Sequence, residues 1–115
     1  MNGLEGHISG RGGEHIAEEY LKRRGAEIIG KNFKAAGGEI DLIVKMDGRI
    51  VFVEVKVRFG SRYGTPGEAI TPAKTARVRR AATAWLKKNG GMQQPVRFDA
   101  LLVSEDGVKH ISGAF

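Results

Sequence analysis

Apolar residues recur along this chain with two different periods, and the change from one to the other marks its elements. From Glu14 to Arg24, Ile16, Ala17, Tyr20 and Leu21 fall on one stripe of a 3.6-residue repeat, which predicts a helix closed by Gly25. Ala26 to Phe33 reads as a strand, and Lys34, Ala35, Ala36, Gly37 and Gly38 as a turn. Two alternating runs follow, Glu39 to Lys45 and Ile50 to Arg58, separated by Met46, Asp47, Gly48 and Arg49. Asp-Gly between alternating runs predicts a hairpin, because both central residues of the favoured turn need positive φ. Phe59 to Glu68, with three glycines and a proline, reads as a loop. Thr71-Pro72 is a helix start, with Thr as N-cap and Pro in the first position, and that helix runs to about Lys88 before Asn89, Gly90 and Gly91 stop it. Val96 to Val103 and Val108 to Ser112 are two further strands joined by the turn Ser104 to Gly107. The predicted fold is α/β: a mixed sheet of about five strands flanked by helices, in the order α-β-β-β-α-β-β. Residues 1–9 carry no periodic pattern and read as a flexible arm; residues 10–115 form a single domain.

The hairpin has a chemical consequence. A loop centred on Asp47 and Gly48 sets Asp41 opposite Glu54 and Glu39 opposite Lys56. Like charges directly opposed on one sheet face are destabilising, so a shared proton, a neighbouring cation or a bound metal ion has to offset the Asp41–Glu54 repulsion. Ile40, Leu42, Val44, Val51, Val53, Val55 and Val57 supply the opposite, buried face, which leaves the two carboxylates on a face with Lys56 and Arg58. The competing account is a solvated face with ordinary cross-strand ion pairs; Glu39 opposite Lys56 fits it, and Asp41 opposite Glu54 does not.

Charge and composition narrow the partners. Nineteen Lys and Arg against thirteen Asp and Glu give a net +6, the balance expected of a protein whose partner is a polyanion. The chain has no cysteine, which removes disulfides and thiolate zinc sites and suits a reducing compartment. It has no apolar run of about 18 residues and no charged-then-apolar leader, so we expect a soluble, cytoplasmic protein with no membrane partner. Gly10, Gly12 and Gly13 do not follow a strand and fail the context of a phosphate-binding loop. His7, His15 and His110 are scattered without ligand spacing and read as surface or structural residues.

An oxygen-only pair such as Asp41 and Glu54 suits Mg²⁺ or Mn²⁺, and zinc poorly. Lys56, two residues beyond Glu54 on the same strand, lies where an ammonium can orient an attacking water or neutralise charge on a phosphate; its bland role is an ion pair with Glu39. Glu14 lies on the rim of the first helix and can face the domain, or simply suit the helix dipole. The second helix carries Lys74, Arg77, Arg79 and Arg80 early, where cations oppose the dipole. Lys74 shares the inward stripe of Val78, Ala81 and Trp85, as a phosphate or active-site contact or as a lysine snorkelling over the core edge. Arg58, Lys74, Arg77 and Arg80 are the candidate nucleic-acid contacts, although the arginines spread around the wheel.

Taken together, Glu14, Asp41 within Gly38-Glu39-Ile40-Asp41-Leu42, and Glu54-Val55-Lys56 resemble the PD-(D/E)XK signature of restriction endonucleases and archaeal Holliday-junction resolvases. From Gly10 to Phe115 the chain is similar to the YraN-type family of bacterial proteins, through Gly10-Arg11-Gly12-Gly13-Glu14, Tyr20-Leu21, Asn32-Phe33, Phe52 to Arg58, Thr71-Pro72-Ala73-Lys74, Arg97-Phe98-Asp99 and His110-Ile111. The resemblance implies a restriction-endonuclease-like fold, Asp41 and Glu54 as metal ligands, Lys56 as catalytic lysine and Glu14 as an auxiliary acid. Ile40 stands where many such nucleases have proline, a departure that leaves the carboxylate in place. The expected function is a divalent-metal-dependent nuclease, using Mg²⁺ or Mn²⁺, that hydrolyses phosphodiester bonds in DNA, with structured or branched DNA as the favoured substrate. The alternative is a non-catalytic module that binds DNA or RNA, with DNA favoured over RNA as partner. Likeness to resolvases also raises a homodimer, for which the sequence marks no face.

Overall fold

Asp47 and Gly48 adopt φ of 58° and 73°, the pair of positive values a two-residue hairpin turn requires. The turn fixes the register expected from sequence: Leu42 opposes Val53, Ile43 opposes Phe52 and Val44 opposes Val51. A computed structural model describes residues 12–58 and 71–115. The expected N-terminal arm over residues 1–9, His7 and the loop Phe59 to Glu68 lie outside the described residues.

The elements are α1 (Gly13–Arg23), β1 (Glu27–Ala35), β2 (Gly38–Met46), β3 (Arg49–Val57), α2 (Pro72–Lys88), β4 (Val96–Ser104) and β5 (Gly107–Ile111), a mixed α/β order that matches expectation. The strands form one sheet in the order β1-β2-β3-β4-β5, antiparallel except for the β3–β4 pair. A parallel pair needs a crossover, and α2 lies in the connection between β3 and β4. Thr71 caps α2 by accepting the Lys74 N–H at 3.1 Å, with Pro72 in the first helical position. Among the described residues no helix is long and apolar enough to cross a membrane.

Each helix covers one face of the sheet. Ala17 and Leu21 of α1 pack on Leu42, Val44, Val51, Val53, Val55, Leu101 and Val103. Val78, Ala81, Ala82, Trp85 and Leu86 of α2 pack on Ile40, Ile43, Ile50, Phe52 and Phe98. Phe52 anchors this second layer, edge-on to Trp85 at 6.0 Å and stacked on Phe98 at 5.3 Å. Two expectations are corrected here. The face assigned to polar groups is mostly buried, because β3 is central and apolar at successive positions, as strands covered on both sides are. Ile40 lies under α2 with Ile43 instead of joining Leu42 and Val44. Asn32 adopts φ 50° between the pairs Lys31–Leu42 and Phe33–Ile40, and the β2–β3 ladder ends at Leu42–Val53.

Because that ladder ends at Leu42–Val53, neither Asp41 and Glu54 nor Glu39 and Lys56 form the directly opposed pairs expected from sequence; Asp41 meets β3 through its side chain, at the Val55 N–H, and Glu39 does not oppose Lys56. It pairs with Lys34 on β1, and Lys56 lies beside Leu102 on β4. Gly38 lets α2 sit close to this forked end: a Cβ at that position would overlap the Arg77 carbonyl.

A buried polar staple joins α1, β4 and β5. Asp99 is fully buried and accepts from Arg97 Nε and Nη2, both at 2.8 Å, from His110 Nε2 at 2.8 Å and from the Gly113 N–H at 3.0 Å. Burial pushes the Asp99 carboxyl up, and the Arg97, His110 and Gly113 donors outweigh it, leaving it below the usual carboxylate range. An ionised carboxylate only accepts, so His110 Nε2 carries the proton and, in the neutral ring, Nδ1 accepts the Tyr20 hydroxyl at 3.2 Å.

Candidate active site

The forked end of the β2–β3 hairpin gathers charge where the backbone ladder stops. Asp41 turns its Oδ2 to the Val55 N–H at 2.7 Å, satisfying a backbone donor that the strand pair leaves open. Glu54 is only 5% exposed, on a strand flanked by β2 and β4. Its Oε2 forms an ion pair with the Lys74 ammonium from α2 and lies 3.9 Å from the Lys56 ammonium of its own strand. Thr71 and Pro72 start α2 so that its third residue, Lys74, reaches Glu54 on the sheet.

The electrostatics are those of opposed charges held out of water. Burial first, then the neighbouring Glu54 and Glu14 carboxylates, raise Asp41 from 3.8 to about 7, against the Val55 N–H and the Lys74 charge. Burial and the adjacent Lys74 ammonium lower the Lys56 pKa, with Glu54 opposing and Arg58 adding to the fall. For Lys74 burial pulls downward, but the Glu54 carboxylate more than compensates and its pKa is raised. The structure therefore brings Asp41, Glu54, Lys56 and Lys74 together, with Glu14 of α1 close enough to act on Asp41 electrostatically.

The arginine candidates lie further out. Arg58 is exposed and donates to the Val57 carbonyl at 3.2 Å, and Arg77 is exposed on α2. Arg80 donates to the Ala36 carbonyl at 3.3 Å, tying α2 to the β1–β2 turn, and Arg79 lies over the Phe98 ring at 4.7 Å. The helical stripe points Lys74 inward without naming a partner, and the structure supplies Glu54 as that partner. The Asp99 staple has no counterpart in the sequence pattern, which marks Tyr20 only as part of an apolar stripe and His110 only as a surface or structural histidine.

Among the described residues, no three or more His, Cys, Asp or Glu side chains converge on one point. The donor set is thus two carboxylates. It suits a hard cation that takes one or two carboxylates and keeps several waters, and does not suit a closed zinc site. A carboxyl raised to about 7 beside a second buried acid is itself an arrangement that a cation would relieve.

Asp41 yields a stability prediction. Its folded pKa lies above its unfolded value, so the contribution of this carboxyl is complete below about pH 4 and is lost as the pH rises through about 7. Asp41→Asn keeps an oxygen for the Val55 N–H and removes the titration. Urea unfolding without divalent cations should find the variant on the order of 2 to 4 kcal/mol more stable than wild type at pH 8, with the gap closing near pH 4. A gap that does not change with pH would contradict this assignment.

Among the described residues, a five-stranded mixed sheet between two helices, with carboxylates and ammoniums gathered at the fork of the β2–β3 hairpin, defines a small α/β domain with a concentrated polar site. The chain belongs to the UPF0102 family, whose profile, described as "Uncharacterised protein family UPF0102", matches residues 13–103. It is 45% identical over 111 residues to a UPF0102 protein of Frankia casuarinae, covering 92% of this chain and 94% of that one. It is 49% identical over 94 residues to a UPF0102 protein of Symbiobacterium thermophilum, covering 82% and 80%. A UPF0102 protein of Geobacter sulfurreducens is 40% identical over 113 residues, with 94% and 88% covered.

Proposed function

We propose that this protein is a divalent-metal-dependent nuclease that hydrolyses phosphodiester bonds in DNA, with branched or otherwise structured DNA as the preferred substrate. The observation that carries the reading is the buried Glu54 carboxylate, set beside Asp41 and faced by the ammoniums of Lys56 and Lys74. Opposite charges concentrated in a desolvated site, with a carboxyl and a lysine both displaced from their ordinary pKa values, are a recurrent property of acid–base and phosphoryl-transfer centres. Asp41 and Glu54 would hold Mg²⁺ or Mn²⁺, which when bound supplies Lewis-acid polarisation of a phosphate oxygen and a more acidic water.

The remaining roles belong to the chain's own groups. Lys56, with its lowered pKa, is suited to exchange a proton with water near the phosphate and to neutralise charge on the non-bridging oxygens. The Val55 N–H holds Asp41 Oδ2 in one orientation. Glu14 adds negative charge on the α1 side. Exposed Arg58 and Arg77, with the net charge of +6, favour a polyanionic backbone over a neutral ligand.

The test is cleavage of branched, single-stranded and duplex DNA with Mg²⁺ or Mn²⁺, beside a chelated control and the variants Asp41→Ala and Glu54→Ala. Cleavage that needs the cation and both carboxylates supports the proposal. Equal cleavage by wild type and variants ends it. Salt-sensitive binding without cleavage, unaffected by chelation and by Lys56→Ala, would identify a non-catalytic nucleic-acid-binding module instead.

A further inference from the structure

In the site as it stands, two carboxylates, Asp41 and Glu54, face two ammoniums, Lys56 and Lys74. At full ionisation their formal charges cancel. A divalent cation entering this group would leave it strongly positive, and the Glu54 oxygen it needs already carries the Lys74 ammonium. Glu54 has little freedom, being buried on a strand paired on both sides, while Asp41 is held by the Val55 N–H. Lys74 differs: its side chain is 26% exposed, on a flexible stem near the start of α2, and it can leave the carboxylate without moving the backbone. Lys56 is at 3.9 Å and does not take the oxygen directly.

We propose that Lys74 is the resting counter-ion of Glu54 and is exchanged for the divalent cation, swinging from the carboxylate to an anionic phosphate of the incoming nucleic acid. This rests on reading Asp41 and Glu54 as cation ligands. It adds a rule to that reading: cation and polyanion bind as a pair. The cation frees Lys74, the freed ammonium and the excess positive charge attract a phosphodiester backbone, and each ligand raises the affinity of the other by the same factor. A nucleic-acid strand supplies such charge at every residue.

Calorimetric titration of the full chain with Ca²⁺ at neutral pH and low salt reads this directly, without cleavage. Lys74→Met should bind Ca²⁺ at least about 10-fold more tightly than wild type, and Lys74→Arg should stay as weak as wild type. A single-stranded oligonucleotide should tighten Ca²⁺ binding to wild type by a similar factor, and to Lys74→Met by clearly less. Unchanged or weaker Ca²⁺ binding by Lys74→Met overturns the proposal, as does an oligonucleotide effect equal in the two proteins. Asp41→Asn separates the two levels. If it abolishes Ca²⁺ binding while Lys74→Met leaves it unchanged, the carboxylate pair stands and only the counter-ion role falls; if Ca²⁺ binding ignores all three substitutions, both fall.

Discussion

Replacing Glu54 with glutamine is expected to slow metal-dependent DNA cleavage by at least about 10²-fold to 10³-fold, the scale seen when one preorganised charged or hydrogen-bonding group is removed from a reacting centre. Glutamine fits the same buried space, so the fold and the exposed basic surface should persist. What disappears is the negative charge on which Lys74 and Lys56 converge and to which a hard cation would bind. The loss should fall on turnover at saturating DNA, while DNA is still retained at low salt, because Arg58 and Arg77 are exposed and do not depend on Glu54 and the Lys74 ammonium is freed for a phosphate. Lys56→Met should give a loss of similar order with cation binding preserved, since an ammonium is not a ligand. Full activity in Glu54→Gln would remove Glu54 from the chemistry.

The second large effect is on stability and lies on the other face of the sheet. Asp99→Asn should destabilise the domain by about 3 to 5 kcal/mol at neutral pH, the usual cost of breaking a buried charged pair by altering one partner. Asparagine has one acceptor oxygen for the Arg97 fork and His110, and it leaves the exposed Asp47 carboxylate, at 3.3 Å, as the guanidinium's charged partner. The sign of the pH dependence is opposite to that at Asp41. The folded pKa of Asp99 is depressed, so its contribution is present above the unfolded pKa near 4 and is lost as the pH falls through the lower folded value. Urea midpoints of wild type and variant should therefore converge in acid. His110→Ala should cost less, about 1 to 2 kcal/mol, because Arg97 and the Gly113 N–H remain on the carboxylate. A stability loss below about 1 kcal/mol for Asp99→Asn would show that the staple contributes little.

The sequence made local features legible where one short-range rule decides the conformation. Asp47-Gly48 set the turn and hence the register, and Thr71-Pro72 set the start of α2. Register in turn brought Asp41 and Glu54 within one another's field, and the inward stripe pointed Lys74 toward them. Alternation failed on β3 because Ile50 to Val55 is buried at every position, so period two no longer separates two faces. It failed at Ile40, which packs under α2 with Ile43 while Leu42 and Val44 face α1, next to the point where the β2–β3 ladder ends. The Asp99 staple is non-local: Tyr20 and His110 are separated by 90 positions, and no spacing rule joins residues that meet only after the sheet has formed. Lack of ligand spacing marks His110 only as a surface or structural residue, and the structure gives it the Asp99 carboxylate as partner.

On the proposed reading Asp41 and Glu54 form one seat for a hard cation, and the Lys74 ammonium sits on the Glu54 side of it. Soaking a crystal of the protein in Mn²⁺ and collecting data at the manganese absorption edge tests it in one step. The expected map has an anomalous peak coordinated by both carboxylates, with the Lys74 ammonium withdrawn from Glu54. No peak at saturating Mn²⁺, with Lys74 still paired to Glu54, would contradict it.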